Sequence, residues 1–169
     1  MSSSTKKIVY LGLMVGLAMG LHAFEAMLPL PYLFPGAKLG LANIISLFVI
    51  VNFGVKEGVL VAFLRVVLGS LIGGTFLSIP FFLSFSGGIV SAISMGITYT
   101  LFKKHLSFIG ISIIGALTHN ITQVLVAAFL VDTFGIVYYL PYLLFFAIPT
   151  GFFVGLVTYQ LQKYWRVVS

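Results

Sequence analysis

The chain has 169 residues, of which 60% are hydrophobic and 7% charged. A water-soluble domain carries charge on roughly a quarter of its residues, so this chain cannot cover a surface that faces water, and lipid must be its main solvent. Nine cations against three acidic residues give a net +6, but they stand singly or in pairs, which argues against a nucleic-acid patch and fits positive residues that mark cytoplasmic loops. The absence of cysteine excludes a disulfide framework, a thiol nucleophile and a thiolate metal site.

Met1 to Lys7 is polar and ends in Lys6-Lys7. Ile8 to Leu28 is apolar apart from His22 and Glu25, and is long enough to cross a bilayer core of about 30 Å. It is also longer than the apolar region of a secretory leader, and no A-x-A cleavage site follows. The connection after it holds Pro29, Pro31, the Pro35-Gly36 turn and Lys38. The second run is Leu39 to Val55, ended by Lys56-Glu57, and the third is Gly58 to Gly73, interrupted by Arg65. A loop with Gly73-Gly74 and Pro80 precedes the fourth, Leu83 to Phe102, which stops at Lys103-Lys104-His105. The fifth is Phe108 to Val131 and the sixth Tyr139 to Leu161, with Pro141 and Pro149 placed to kink it. These runs predict an all-α integral membrane protein in which residues 1–169 form a single domain of six transmembrane helices, with no alternating strands of a barrel.

Lysine and arginine set the orientation. With the N-terminus inside, the inner ends carry Lys6, Lys7, Lys56, Lys103, Lys104, Lys163 and Arg166, and the outer loops only Lys38. Both termini are therefore expected in the cytoplasm. Tyr32, Tyr138, Tyr139 and Tyr142 fall near outer ends, where interfacial aromatics belong. Small residues form ridges that let helices approach closely: Gly12, Gly16 and Gly20 on the first helix, and Ala147, Gly151 and Gly155 on the last. Most such ridges serve packing within a bundle, but the first could face a partner protein.

Polar residues gather from the midplane outward. His22 and Glu25 lie in the outer third of the first helix, and Asn43 in the outer part of the second. Arg65 is near the middle of the third, Ser84 and Ser86 open the fourth, and His119, Asn120 and Gln123 follow helical spacing on the fifth. This distribution predicts an outward-facing pocket, sealed below by apolar side chains, with the stretch Pro29 to Lys38 as a lid. Glu25 points away from the glycine ridge, so the first helix can give one face to the pocket and the other to a partner. A charge at bilayer depth costs about 2.5–3.5 kcal/mol on insertion scales. Arg65 is therefore expected to face inward, either paired with Glu25 or bonded to helix-end carbonyls, or else holding a ligand. His22, Glu25 and His119 make a weak case for a metal site, and no metal is assigned.

Catalytic patterns are missing. There is no phosphate-binding G-x-x-x-x-G-K-[ST] loop and no G-x-S-x-G elbow. Prenyl transfer needs clustered aspartates to hold magnesium on a diphosphate, and this chain has Asp132 alone. Neither an enzyme nor a bound cofactor is expected.

The segments Glu25-x-x-Leu28-Pro29, Pro35-Gly36-Ala37-Lys38-Leu39-Gly40-Leu41-Ala42-Asn43, Leu64-Arg65-Val66, Ser84-x-Ser86-Gly87-Gly88 and His119-Asn120-x-x-Gln123 resemble the Gx transporter family, also labelled heptaprenyl diphosphate synthase component I. That family resembles the substrate-binding S components of energy-coupling factor (ECF) transporters. The resemblance implies a six-helix subunit of a bacterial cytoplasmic membrane that captures a vitamin- or cofactor-like molecule from outside, a flavin or an isoprenoid or quinone precursor being examples. It also implies docking through helix 1 onto a transmembrane scaffold with ATPases, although Gly12, Gly16 and Gly20 stand where those proteins often have A-x-x-x-A. The other label implies a non-catalytic membrane partner of a heptaprenyl diphosphate synthase.

Overall fold

A computed structural model of the protein describes residues 3–27 and 39–168, with side chains for 5–25, 27 and 39–165. Lys38, Tyr32 and the expected lid Pro29 to Lys38 lie outside the described residues. The described residues form six α-helices in order: α1 (Ser3–Met27), α2 (Leu41–Phe53), α3 (Val55–Ile72), α4 (Ile79–Phe102), α5 (Phe108–Leu130) and α6 (Leu140–Val168). A 3-10 helix, Phe134–Tyr139, leads into α6. No strand occurs among the described residues.

Each helix runs against its predecessor, and single contacts show it. Asn43 meets Arg65 across the α2–α3 turn, Gly96 faces Val55 and Gly88 faces Arg65 between α3 and α4, Ser91 bonds Gly115 between α4 and α5, and Asn120 bonds Leu143 between α5 and α6. The two termini therefore share one end of the bundle, where the Tyr10 and Trp165 rings meet edge to face at 5.8 Å. Lys6, Lys7, Lys56, Lys103, Lys104 and Lys163 lie at that same end. There Lys7 pairs with Glu57, tying the starts of α1 and α3 together.

Among the described residues, four helical stretches are long and apolar enough to cross a membrane: Thr5–Glu25, Ile79–Phe102, Phe108–Leu130 and Phe134–Trp165. The second predicted run is corrected. Its helix has 13 residues, which reach about 20 Å at ~1.5 Å per residue, short of a bilayer core. Leu41 to Ile50 is buried on every side, because α2 packs against α1, α3, α4 and α6. Neighbouring helices surround it in place of lipid, so its length need not match the bilayer. Its end is also earlier than expected. Gly54 has φ 115°, a conformation that favours glycine, and it alone separates α2 from α3. Lys56 and Glu57 consequently sit in the first turn of α3 rather than in a loop.

One proline expectation also changes. Pro80 lies in the first turn of α4, where a missing N–H is tolerated, and not in the preceding loop. Pro149 lies inside α6, within the last run as expected. The small-residue ridge on α6 packs within the bundle as expected. A Cβ on Gly151 would come within 2.7 Å of the Ile113 Cα, so the α5 and α6 backbones touch closely there.

The glycines of α1 behave differently. Gly12, Gly16 and Gly20 are exposed, and a Cβ added at any of them would meet nothing within 4 Å. The helix packs through Val15, Ala18 and Glu25 on its other face, and its main contacts are with α2 and α3.

Candidate functional site

The site grows from the N-terminus of α2. Gly40 takes a left-handed φ of 73°, available to glycine at little cost. This turns its own N–H and that of Leu41 toward α1. Helix starts leave such N–H groups without partners, and here Glu25 supplies them. Its Oε1 accepts from Gly40 N at 2.7 Å and its Oε2 from Leu41 N at 3.2 Å. The carboxylate also sits where the helix dipole favours negative charge. Glu25 is 7% exposed, so these are buried, charge-assisted bonds.

This settles what Glu25 holds. The expected alternative of a direct Arg65–Glu25 pair is corrected: among the described residues the one ion pair is Lys7 with Glu57. Arg65, only 4% exposed, instead donates from Nη2 to Asn43 Oδ1 at 2.7 Å. Its Nε is buried with no hydrogen-bond partner. A buried cation held by one neutral amide is costly by the standards of protein interiors.

Around the Arg65 guanidinium is a cavity with about 30 Å³ of room for water-sized occupants. Of the ten residues predicted to bind substrate, it brings together seven: His22 and Glu25 from α1, Asn43 from α2, Arg65 from α3, Ser84 from α4, and His119 and Asn120 from α5. Lys38 lies outside the described residues. Ser86 is not brought to the cavity; its hydroxyl donates to the Phe82 carbonyl of its own helix at 2.7 Å. Gln123 also does not line it. That side chain is buried one turn past Asn120 on α5, with Oε1 lacking a partner. Asn120 has a second duty, donating from Nδ2 to the Leu143 carbonyl of α6 at 2.9 Å.

Two glycines give the cavity its walls. A Cβ on Gly87 would lie 3.0–3.2 Å from three atoms of the His119 ring, and one on Gly88 would lie 3.4 Å from Arg65 Nη2. Any larger residue at Gly87 would push the imidazole, so α4 carries glycine where α5 presses its histidine against it.

Ser112 and Thr150 line the cavity and were missed by sequence reasoning. Ser112 was within reach, because it stands one and two turns before Ala116 and His119 on the same face of α5. Its Oγ is buried and without a partner. Thr150 follows Pro149, and its hydroxyl bonds the Phe146 carbonyl at 3.0 Å; the sequence gives no signal for it. The inner half of the bundle is also less apolar than expected. Asn52 of α2 and Gln162 of α6 exchange reciprocal amide bonds of 2.8 and 2.9 Å.

No group of three His, Asp or Glu side chains placed to hold a metal occurs among the described residues. Glu25, the carboxylate in the weak metal reading, is turned to the α2 backbone.

The model of the heptaprenyl diphosphate synthase component I family matches residues 14–161, and the chain belongs to that family. The match spans every residue that lines the cavity. No curated protein and no solved structure matches the chain.

Proposed function

We propose that this heptaprenyl diphosphate synthase component I protein is a substrate-capture subunit of the S-component kind. In this reading it crosses the bacterial cytoplasmic membrane six times as one domain, with both termini in the cytoplasm. Support for the orientation comes from the lysines gathered at the end that carries both termini, as cytoplasmic ends require. Support for six crossings comes from the strict alternation of helix direction, with α2 shielded from lipid by its neighbours.

One observation carries the capture reading: Arg65, buried and held by a single neutral hydrogen bond, faces a cavity walled by five other helices. A structural arginine inside a membrane protein is expected to be paired. An arginine kept under-bonded beside a cavity suits a ligand that completes its partners. His22, Asn43, Ser84, His119 and Asn120 would surround that ligand, with Glu25 holding the wall. The cavity admits a small group, so a flavin-sized ligand requires it to widen. Lys38, Ser86 and Gln123 remain candidates for a widened site. The exposed Gly12, Gly16 and Gly20 ridge is the face offered to an ECF scaffold with its ATPases, since helices can close on small residues.

The family description favours a second reading, a non-catalytic membrane partner of a heptaprenyl diphosphate synthase. A single affinity purification separates the two when proteins and small molecules are both identified by mass spectrometry. Capture predicts a transmembrane scaffold, ATPases and a retained metabolite. The partner reading predicts a soluble, aspartate-rich synthase with no ATPase. Gly16→Leu tests the docking face: if scaffold recovery is unchanged, the α1 ridge is not the interface.

A further inference from the structure

We infer that the cavity takes the carboxylate of a monoanionic ligand, with Arg65 as its direct partner and Ser112 as a second contact. The inference rests on the capture reading above and names the chemical class of what is captured.

Arg65 and Ser112 both line the cavity, and each holds a buried polar atom without a partner, Arg65 Nε and Ser112 Oγ. Leaving such groups unbonded costs about 1–3 kcal/mol each and more for a charged one, so a guest able to bond both would be stabilised there. Arg65 Nε–H and Nη2 flank one edge of a planar fork that matches two carboxylate oxygens. Asn43 takes one hydrogen from Nη2, leaving Nε–H for the guest. A serine hydroxyl can donate to the same anion or accept from a neighbouring group.

Charge decides between anions. Glu25 is close enough to act on Arg65 electrostatically, but its charge is met by two backbone N–H groups and by the positive end of α2, worth about half a unit charge. Arg65 and Glu25 cancel formally, so the start of α2 leaves the site with about half a unit of positive charge. A carboxylate answers that charge and offers two acceptor oxygens to the planar fork of Arg65. A phosphate or diphosphate would bring further negative charge into the low-dielectric interior with no second cation among the described lining residues, at a cost of several kcal/mol per uncompensated ion. A neutral amide offers the fork one acceptor oxygen where a carboxylate offers two.

The test uses probes that match the cavity in size: acetate, acetamide and inorganic phosphate, added at equal ionic strength to the full chain in detergent. Acetate is expected to raise the unfolding midpoint by about 2 °C or more at saturation, with no comparable shift from acetamide or phosphate. Removing Arg65 breaks its buried bond to Asn43 and threatens the fold itself, so the decisive variant is Asn43→Asp. It gives Arg65 an internal carboxylate in the position of Asn43 Oδ1, and is expected to fold and to lose the acetate response. Equal shifts from acetamide, a larger shift from phosphate, no acetate shift, or an acetate shift that survives in Asn43→Asp would each overturn the inference. Extraction of the purified wild-type protein distinguishes this failure from failure of the capture reading. A retained monocarboxylate supports both, and a retained neutral or phosphorylated metabolite overturns the carboxylate alone. No retained molecule together with no acetate response overturns both.

Discussion

Glu25→Ala removes both acceptors from the start of α2. The Leu41 N–H loses its partner in a buried position, and the Gly40 N–H loses a 2.7 Å bond. Hydrogen bonds to a charged group contribute about 1.5–3 kcal/mol each, and a charge at a helix N-terminus adds about 0.3–2 kcal/mol. These terms overlap, since one carboxylate makes both bonds and the α2 start can relax. A loss of about 3 kcal/mol is a reasonable central value, equivalent to roughly 6–12 °C in unfolding midpoint for a chain of this size. Glu25→Gln keeps one acceptor oxygen but presents an amide donor to the other N–H, so it should fall between Ala and wild type. The assay is thermal unfolding in detergent followed by the fluorescence of Trp165, which packs on Tyr10 and Phe48. The same losses should appear without any ligand, because the bonds are internal. If Glu25→Ala shifts the midpoint by less than about 1 °C, or if Glu25→Gln matches wild type, the carboxylate is not the cap of α2 and its place must be explained by a ligand.

Gly87→Ala puts a methyl group 3.0–3.2 Å from the His119 ring; a stability loss of about 1–3 kcal/mol is expected, with weaker ligand retention measured by mass spectrometry after purification. Gly151→Leu should be more damaging, because a Cβ alone already meets the Ile113 backbone at 2.7 Å, and size-exclusion chromatography in detergent should report aggregation. Asn52→Ala and Gln162→Ala, taken singly and together, should show a coupling energy of about 0.5–3 kcal/mol in a double-mutant cycle. At the end of the bundle that carries both termini, the hydrogen bond from Lys7 holds the Glu57 carboxyl below its ordinary value. Its stabilisation is therefore present above the ordinary carboxylate pKa and lost as pH falls through the lowered one. Because the pair is exposed it is worth about 0.2–1 kcal/mol, and Glu57→Gln should flatten the acid side of the stability profile by no more than that.

Composition and apolar run length carried most of the architecture, because lipid imposes them directly. The ends of α1, α4 and α5 lie within a few residues of the charges and turns that mark them. The length of α2 was not legible. An apolar run reads alike whether lipid or other helices surround it, and only the packing of α2 among four helices tells the cases apart. The polar side chains announced the site because each is costly at its depth. Their partners were harder to see. Glu25 bonds backbone N–H groups, and a backbone donor leaves no letter in the sequence. Ser86 looked equivalent to Ser84, but its hydroxyl is turned back to the Phe82 carbonyl, a competition that serine in a helix always faces. Gly87 and Gly88 were legible only as part of a motif, and their work is to make room for His119 and Arg65.

The arrangement makes α2 the element that sets the site. Its start is held by Glu25 of α1, its first turn by Arg65 of α3 through Asn43, and its last turn by Gln162 of α6 through Asn52. Three helices are thus fixed to one short buried rod by polar bonds, which in an apolar interior are directional where packing is not. Arg65 can remain under-bonded because it is positioned by Asn43, itself one turn from the Gly40 bend. A change at Gly40 should therefore act at a distance. Gly40→Ala places a side chain at φ 73°, strain of order 1–3 kcal/mol for a non-glycine residue. It also sets a Cβ 3.4 Å from Asn43 Nδ2. The variant should lose both Glu25 capping and the acetate response, whereas Ala42→Ser, one residue from Asn43 within the same turn, should lose neither through this route. Retention of the acetate response in a folded Gly40→Ala protein would show that Arg65 is positioned independently of the α2 start.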